Sequence, residues 1–178
     1  WLNRGFDTAY TVGPDTKPIF SASHPSTFGD QSNLLATAAD LSEASLEDLV
    51  IQAGGAVDDR GNKISLKVLS LHIPRQLEFE AARILKSVNQ ADTANNAVNA
   101  LRVMGTFPEG FKVNHFFTDT DAFFIKTDCP YGLTLFQRRA LDFVKDNDFG
   151  TGNALAKATE RYSLQIGDFR QWFGSAGA

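Results

Sequence analysis

The hydrophobic positions in the first half of the chain predict two amphipathic helices and one buried strand. Apolar residues recur at helical spacing over 41–53, after the capping-box-like pair Asp40 and Glu43. Residues 64–73 then supply apolar side chains to both faces, a pattern typical of a central strand. A proline follows that suits a first helical turn, and the spacing behind it predicts a second helix over 75–88.

The second half of the chain predicts strands. Short apolar runs are separated by Asp, Pro and Gly, and two longer runs flank an acidic turn that extends from Asp146 to Asn153. The predicted strands cover 112–117, 122–126, 133–136, 138–144 and 155–166. Helices and strands are intermixed without regular strand–helix alternation, so the predicted fold class is α+β.

Two stretches carry little periodicity. Residues 1–39 contain many turn formers and predict one short strand at 18–21 within a loop that needs partners to complete it. Residues 89–105 predict a mixed loop, because Asn95, Asn96 and Asn99 disfavour a helix.

The composition is that of a globular chain with an unusual number of phenylalanines. The 178 residues are 43% hydrophobic and 21% charged, and they include 15 Phe, which predicts large aromatic contacts in a core or between subunits. The formal net charge is −4 without basic runs, so the electrostatic footprint of a nucleic-acid reader is absent.

Cysteine usage and hydropathy exclude further classes. The single cysteine, Cys129, rules out an internal disulfide framework and predicts a small buried apolar residue in a reducing compartment. No apolar run reaches the roughly 18 residues of a membrane span, so no membrane partner is expected. The chain starts at Trp1 and its only methionine is Met104, from which we expect the C-terminal part of a longer protein.

Candidate metal chemistry rests on three acids. Asp119, Asp121 and Asp128 would suit a divalent cation if they converged. They also lie in turns, where Asp is favoured because its side chain bonds nearby backbone. The turn reading is the stronger one, and no catalytic residue, cofactor or metal site is predicted.

The C-terminal third combines arginines, acids and aromatics. Arginine and large aromatics are enriched at subunit interfaces, and arginine–carboxylate pairs give directional contacts; an ordinary solvated charged face is the competing interpretation. The residues predicted to hold subunits or lobes in register are Asp146, Asp148, Arg161, Asp168 and Arg170.

An ordered series of short motifs resembles the C-terminal half to two-thirds of the major capsid proteins of tailed bacteriophages, especially the Mu-type major head subunit group. The series covers nearly the whole chain. Its members are Phe20-Ser21 with His24-Pro25, Ser32-Asn33-Leu34, Leu41-Ser42 with Leu46-Glu47, Ile73-Pro74 with Leu77-Glu78, Asn96-Ala97-Val98-Asn99, Asp119 with Asp121 to Phe124, Asp146 to Asn153, and Arg161-Tyr162-Ser163 through Asp168-Phe169-Arg170 to Gly174-Ser175.

The resemblance implies the tailed-phage capsid fold with a peripheral and an axial lobe. It assigns 1–40 to a loop-rich part of the peripheral lobe, 41–135 mostly to the axial lobe, and 136–178 to long strands that return to the peripheral lobe. The N-terminal arm and the extended loop of that family are not represented. Phe123 and Phe169 stand where relatives often have Trp.

The function implied is structural. Such proteins are not enzymes; they assemble as pentamers and hexamers into an icosahedral shell around double-stranded DNA that they contact without sequence specificity. Further partners would be cement, portal or scaffolding proteins, and the location would be the virion, assembled in the bacterial host cytoplasm. The alternatives are a cellular nanocompartment shell with the same fold, a capsid-binding adaptor, and a metal-dependent hydrolase built on the aspartate cluster.

Overall fold

The computed structural model describes residues 1–11, 13–90 and 97–178 and has a mixed α+β architecture. The helices are α1 (Glu43–Gly54), α2 (Glu78–Lys86) and α3 (Ala100–Val103), and short 3₁₀ turns cover Leu2–Arg4, Arg75–Leu77 and Phe169–Gln171. The strands are β1 (Val68–Ile73), β2 (Phe111–Val113), β3 (Phe123–Thr127), β4 (Leu133–Asn147), β5 (Ala154–Ile166) and β6 (Trp172–Ser175). The predicted fold class, α+β, is therefore confirmed. None of these helices has the length and apolar character needed to cross a membrane.

Four strands form the central sheet in the order β2-β1-β3-β6. β1 pairs with β2 in parallel and with β3 antiparallel, and β3 pairs antiparallel with β6. β1 lies inside the sheet with both faces largely buried, as its continuous apolar pattern predicts. β6 was not predicted, because it is short and contains a glycine.

Each face of the sheet carries its own hydrophobic core. On one face α1, α2 and α3 cover side chains that include Leu71, Phe123 and Phe173. On the other face Phe6, Phe20 and Phe124 pack against one another in a triangle, with ring centroids 4.9 to 5.8 Å apart. The alternation of β3 thus divides its phenylalanines between two cores.

Side-chain chemistry sets the helix boundaries. The capping box of α1 is formed by Ser42 and Ser45, which exchange backbone-to-side-chain hydrogen bonds of 3.1 and 2.9 Å. The predicted pair Asp40 and Glu43 is wrong, because the helix begins at Glu43 itself. The helix predicted over 75–88 opens with a 3₁₀ turn and is α-helical only from Glu78 to Lys86.

The N-terminal segment packs without forming the strand predicted at 18–21. Ile19 and Phe20 are buried, but the backbone is held by the side chain of Asn33, which donates to the Ile19 and Trp172 carbonyls and accepts from the Ser21 N–H. A buried amide side chain therefore replaces strand pairing. The loop predicted at 89–105 is wrong over Ala100–Val103, where Asn99 caps α3 by accepting a hydrogen bond from the Arg102 N–H. Asn95 and Asn96 lie outside the described residues.

The predicted strands differ from the observed ones mainly in length. The run 112–117 is a strand only at Phe111–Val113, and 133–136 and 138–144 join into the single strand β4. β4 and β5 pair only with each other over 133–166. We call residues 133–166 the ribbon, its Leu133–Ile166 end the root and the turn 148–153 the tip. The proposed division of the chain at residues 40 and 135 stays a prediction.

Candidate functional site

The ribbon is the feature of this fold that lacks a packing layer. Its register runs from Leu133 opposite Ile166 at the root to Asn147 opposite Ala154 next to the tip. Strand alternation places Leu135, Phe143, Tyr162 and Leu164 on one face, together with the alanines of β5. The other face carries mixed charged and aliphatic side chains.

Most of the ribbon's large apolar side chains are exposed. Of the 17 exposed large hydrophobic residues in the described part of the chain, eight lie in the ribbon. They are Leu135, Phe136, Leu141, Phe143, Val144, Phe149, Leu155 and Tyr162. They are divided between the two faces of the ribbon and its tip, and a two-stranded hairpin is marginal in water without a surface to pack on. The ribbon therefore presents a surface suited to another polypeptide.

The tip is a tight turn organised by Asp148. Its carboxylate accepts hydrogen bonds from the Gly150 N–H (3.0 Å) and the Thr151 hydroxyl (2.6 Å), and its backbone bonds Asn153 and Gly152. The Thr151 hydroxyl, followed by the Gly150 N–H, lowers the pKa of the Asp148 carboxyl. Gly152 has φ of +70°, which glycine adopts without steric cost. Phe149 is fully exposed at the apex of this ordered turn.

The middle of the ribbon brings arginines together. Arg139 lies directly opposite Arg161, and the register shifts on either side of this pair, between Gln137 and Arg139 and between Arg139 and Asp142. At each shift β4 contains one residue more than β5, which is the geometry of a β-bulge. Arg138 occupies the first bulge.

A buried arginine lies in the short turn that connects the root of the ribbon to β6. The side chain of Arg170 is only 8% exposed; it bonds Asp59 at 2.6 Å, both carboxylate oxygens of Asp168 at 3.3 Å, and Gln31 at 3.3 Å. Its guanidinium also lies 4.7 Å from the centre of the Phe169 ring. Because Asp59 is 111 residues away in sequence, this network joins distant segments at the point where the ribbon leaves the sheet.

A buried histidine extends the same network. His24 is 1% exposed, and its Nδ1 lies 2.5 Å from Asp15. Its Nε2 lies 3.2 Å from Asn33 Oδ1. Its ring stacks on Phe169 with centroids 3.9 Å apart. Since the Asn33 amide group donates to two carbonyls, its oxygen must face the histidine and accept from it. The N-terminal segment is thereby fixed against the residues that precede β6.

The aspartates considered for metal binding do not gather. Asp119 and Asp121 precede β3, whereas Asp128 follows it and bonds Lys67 through its side chain and its backbone. β3 has five residues, so it separates them by roughly 16 Å at about 3.3 Å per residue. Hydrogen bonding between Asp119 and Asp121 lowers the pKa of Asp119 and raises that of Asp121. Within the described residues, no group of three His, Cys, Asp or Glu side chains is placed to hold a metal ion.

Cys129 is buried, as predicted. Burial, followed by the charge of Asp168, raises the pKa of its thiol to about 12. The thiol is therefore protonated at neutral pH, and nucleophilic cysteine chemistry requires the thiolate.

The five residues predicted to make contacts occupy three places. Asp168 and Arg170 meet at the root, Asp148 organises the tip with Asp146 exposed beside it, and Arg161 is exposed in the middle of the ribbon. Their predicted role between subunits or lobes stays a prediction. Sequence reasoning missed Asp59, Gln31 and His24 as members of the root network, because their bonds join residues that are 111, 139 and nine positions apart in sequence.

Comparison with known proteins gives distant structural similarity only. Neither a protein-family profile nor a curated protein matches the chain. Among solved structures, the crystal structure of a virus-like particle from Pyrococcus furiosus is similar with a TM-score of 0.45 and 16% sequence identity, over 80% of this chain and 55% of that chain. This chain thus spans about half the length of that protein. The Mu-type assignment stays a prediction.

Proposed function

We propose that this protein is a structural subunit that assembles with copies of itself into a closed shell. The observation that carries the proposal is the ribbon: a two-stranded hairpin with eight exposed large apolar side chains and no covering layer. The order of motifs along the sequence supplies the class of assembly, because that order resembles capsid subunits.

The magnitudes favour an assembly with many contacts over an isolated pair. Full burial of one Leu- or Phe-sized side chain contributes about 1.5–3 kcal/mol, so covering four of them would contribute roughly 6–12 kcal/mol. The loss of translational and rotational freedom on association costs about 4–15 kcal/mol. One contact of this kind is therefore weak, whereas a closed assembly, in which each copy makes several contacts, is stable.

More specifically, we propose that the shell is the head of a tailed bacteriophage and that this protein is its major subunit. In that form the subunit has no enzymatic activity, builds pentamers and hexamers, and is located in the virion around double-stranded DNA. The net charge of −4 suits an inner wall that must accommodate DNA without binding it tightly. A nanocompartment shell enclosing protein cargo is the alternative within the same class.

The test is expression of the full gene product, including any sequence its gene adds at either end, followed by negative-stain microscopy and light scattering. We expect shells, rings or tubes. The content of the particles then separates the two forms, because nuclease-protected DNA supports a phage head and a protein cargo supports a nanocompartment. A product that stays monomeric at high concentration would contradict the proposal.

A matched variant separates assembly from folding. Replacing Phe143 and Tyr162 by Ser changes only side chains that are exposed in the single copy, so the circular dichroism spectrum should be unchanged while assembly is lost. Replacing the exposed Phe79 of α2 by Ser is the control, and we expect that variant to assemble. Equal behaviour of the two variants would remove the ribbon from the proposed contact.

A further inference from the structure

The arginine pair of the ribbon is unfavourable as it stands in one copy. Like charges directly opposite each other in an antiparallel ladder destabilise the pair, yet Arg139 faces Arg161. The nearest acid, Asp142, lies 3.5 Å from Arg139 and both side chains are more than half exposed, which makes that ion pair weak. Among the described residues, Arg138 and Arg161 form no side-chain hydrogen bond or ion pair.

The two bulges concentrate this charge in one place. A bulge re-aims side chains and increases local twist, and these two bracket the Arg139–Arg161 pair. The result is a shallow hollow lined by Arg138, Arg139, Arg161, Thr159 and Glu160. Guanidinium groups bind oxygen anions through two parallel N–H donors, so the hollow is suited to carboxylates or phosphates.

The same chain carries a complementary acidic surface. Helix α1 carries three acids, Glu43, Glu47 and Asp48, and no Lys or Arg. On the outer side of α1, Ala44, Asp48 and Ile51 line an apolar hollow against Leu34 and Leu35. Asp48 is exposed and Ile51 is 71% exposed. In a single copy this surface is therefore uncovered.

The two surfaces match in charge and in apolar character. The ribbon face that carries Arg139 and Arg161 also carries Val144 and Leu155, and the α1 surface pairs Asp48 with Ile51. The ribbon contains five Lys or Arg and four Asp or Glu, whereas the other residues contain 12 and 17. Opposite net charges of this kind steer copies of one chain toward each other.

We propose that the arginine cluster Arg138, Arg139 and Arg161 binds the carboxylates of helix α1, centred on Asp48, in a second copy of the chain. The inference rests on the proposed self-assembly and specifies which surfaces meet. Because the two surfaces differ, the contact is heterologous, and repeated contacts of this kind generate rings when the rotation between copies closes. A polynucleotide is the less favoured occupant, since the chain carries a net charge of −4 and has no basic run along which a phosphate backbone could bind.

Charge reversal tests the contact. Arg161→Glu and Asp48→Lys should each raise the concentration needed for assembly by at least about tenfold, because each places like charges in contact. The double variant restores opposite charges and should recover most of the loss. Arg83→Glu and Glu78→Lys, both on α2, make the same charge changes away from the ribbon and from α1, so they should change assembly by less than about threefold.

The readouts distinguish the possible failures. Assembly is followed by light scattering, folding by thermal unfolding of each variant, and nucleic-acid binding by the fluorescence anisotropy of a 20-base-pair duplex. Loss in both single variants without recovery in the double variant overturns the pairing of these surfaces. Normal assembly of Arg161→Glu with weakened duplex binding overturns it in favour of phosphates. A wild-type protein that never assembles overturns both this inference and the proposed function.

Discussion

The central sheet and the ribbon are both β-structure, but they bury their side chains in opposite ways. β1 and β3 are covered on both faces, and residues such as Leu71, Phe123 and Ile125 are completely inaccessible. β4 and β5 are longer, with 15 and 13 residues, yet nearly all of their side chains are exposed. The length of a strand is therefore a poor guide to how strongly it is stabilised in this fold. The central sheet is stabilised by its two hydrophobic cores, whereas the ribbon is stabilised by the hydrogen bonds between β4 and β5 and by the contacts at its root.

The largest difference in stability between the two regions should appear when one phenylalanine in each region is replaced by alanine. We expect Phe123→Ala to lower the free energy of unfolding by about 3–5 kcal/mol, because it leaves a cavity in the core. Phe143→Ala, on the exposed ribbon, should change it by less than about 0.5 kcal/mol. Urea unfolding of dilute, unassembled protein measures both. A large destabilisation by Phe143→Ala would show that the ribbon packs within one copy.

Substitutions at the root, where the ribbon meets the central sheet, should have the next largest effect on stability. Arg170→Ala leaves Asp168 and Asp59 without their buried partner, so we expect a loss of about 2–3 kcal/mol. Arg170→Lys should recover only part of it, since an ammonium group cannot reproduce the guanidinium fork. The control is Arg83→Ala, whose exposed pair with Glu80 is worth less than about 0.5 kcal/mol. Equal melting temperatures for Arg170→Ala and Arg83→Ala would contradict the role of the root network.

The pH dependence of the free energy of unfolding should come from His72, in strand β1 of the central sheet. Burial, followed by the charges of Lys112 and Lys126, lowers the pKa of His72 to about 4. A histidine whose folded pKa lies below its unfolded value of about 6.5 contributes its full stability above pH 6.5 and loses it as the pH falls toward 4. We expect a loss of about 1–2 kcal/mol over that window, because solvent still reaches the half-buried ring. His72→Gln should flatten unfolding curves recorded between pH 7 and pH 4, and an unchanged slope would contradict this assignment.

The smallest effect should be at the tip. Asp148→Ala removes the acceptor for the Gly150 N–H and the Thr151 hydroxyl, so amide exchange at Gly150 should accelerate by about fivefold, the factor that corresponds to one hydrogen bond. The melting temperature should stay the same, because the carboxylate is exposed to solvent. Asp146→Ala is the matched control, since its side chain bonds only the adjacent Asn147 N–H. NMR exchange measurements that show no difference between the two variants would show that Asp148 does not order the turn.

The sequence predicted the elements that are determined by residues close together in the chain. α1 and β1 follow from the spacing of apolar residues, and the ribbon from two long runs around a turn rich in Asp and Gly. The strand at 18–21 was wrong, because Ile19 and Phe20 are buried through the Asn33 side chain, a contact that leaves no periodic signal. The candidate site was only partly predictable: Asp148 bonds its neighbours in sequence, whereas the Arg170 to Asp59 pair depends on how the whole chain folds.

Two glycines at the root set the direction of the ribbon. A side chain on Gly132 would collide with Gln171, and one on Gly167 would collide with the Tyr131 carbonyl; the Gly167 N–H donates to the Gly132 carbonyl at 3.0 Å. β4, with its 15 residues, is about 50 Å long at roughly 3.3 Å per residue. Because β4 is this long, a rotation of the ribbon by about 5° at its root would move Phe149 at the tip by about 4 Å. Replacing Gly167 by Ala should therefore change the direction of the ribbon and also destabilise the subunit, because the clashing atom is a backbone carbonyl oxygen.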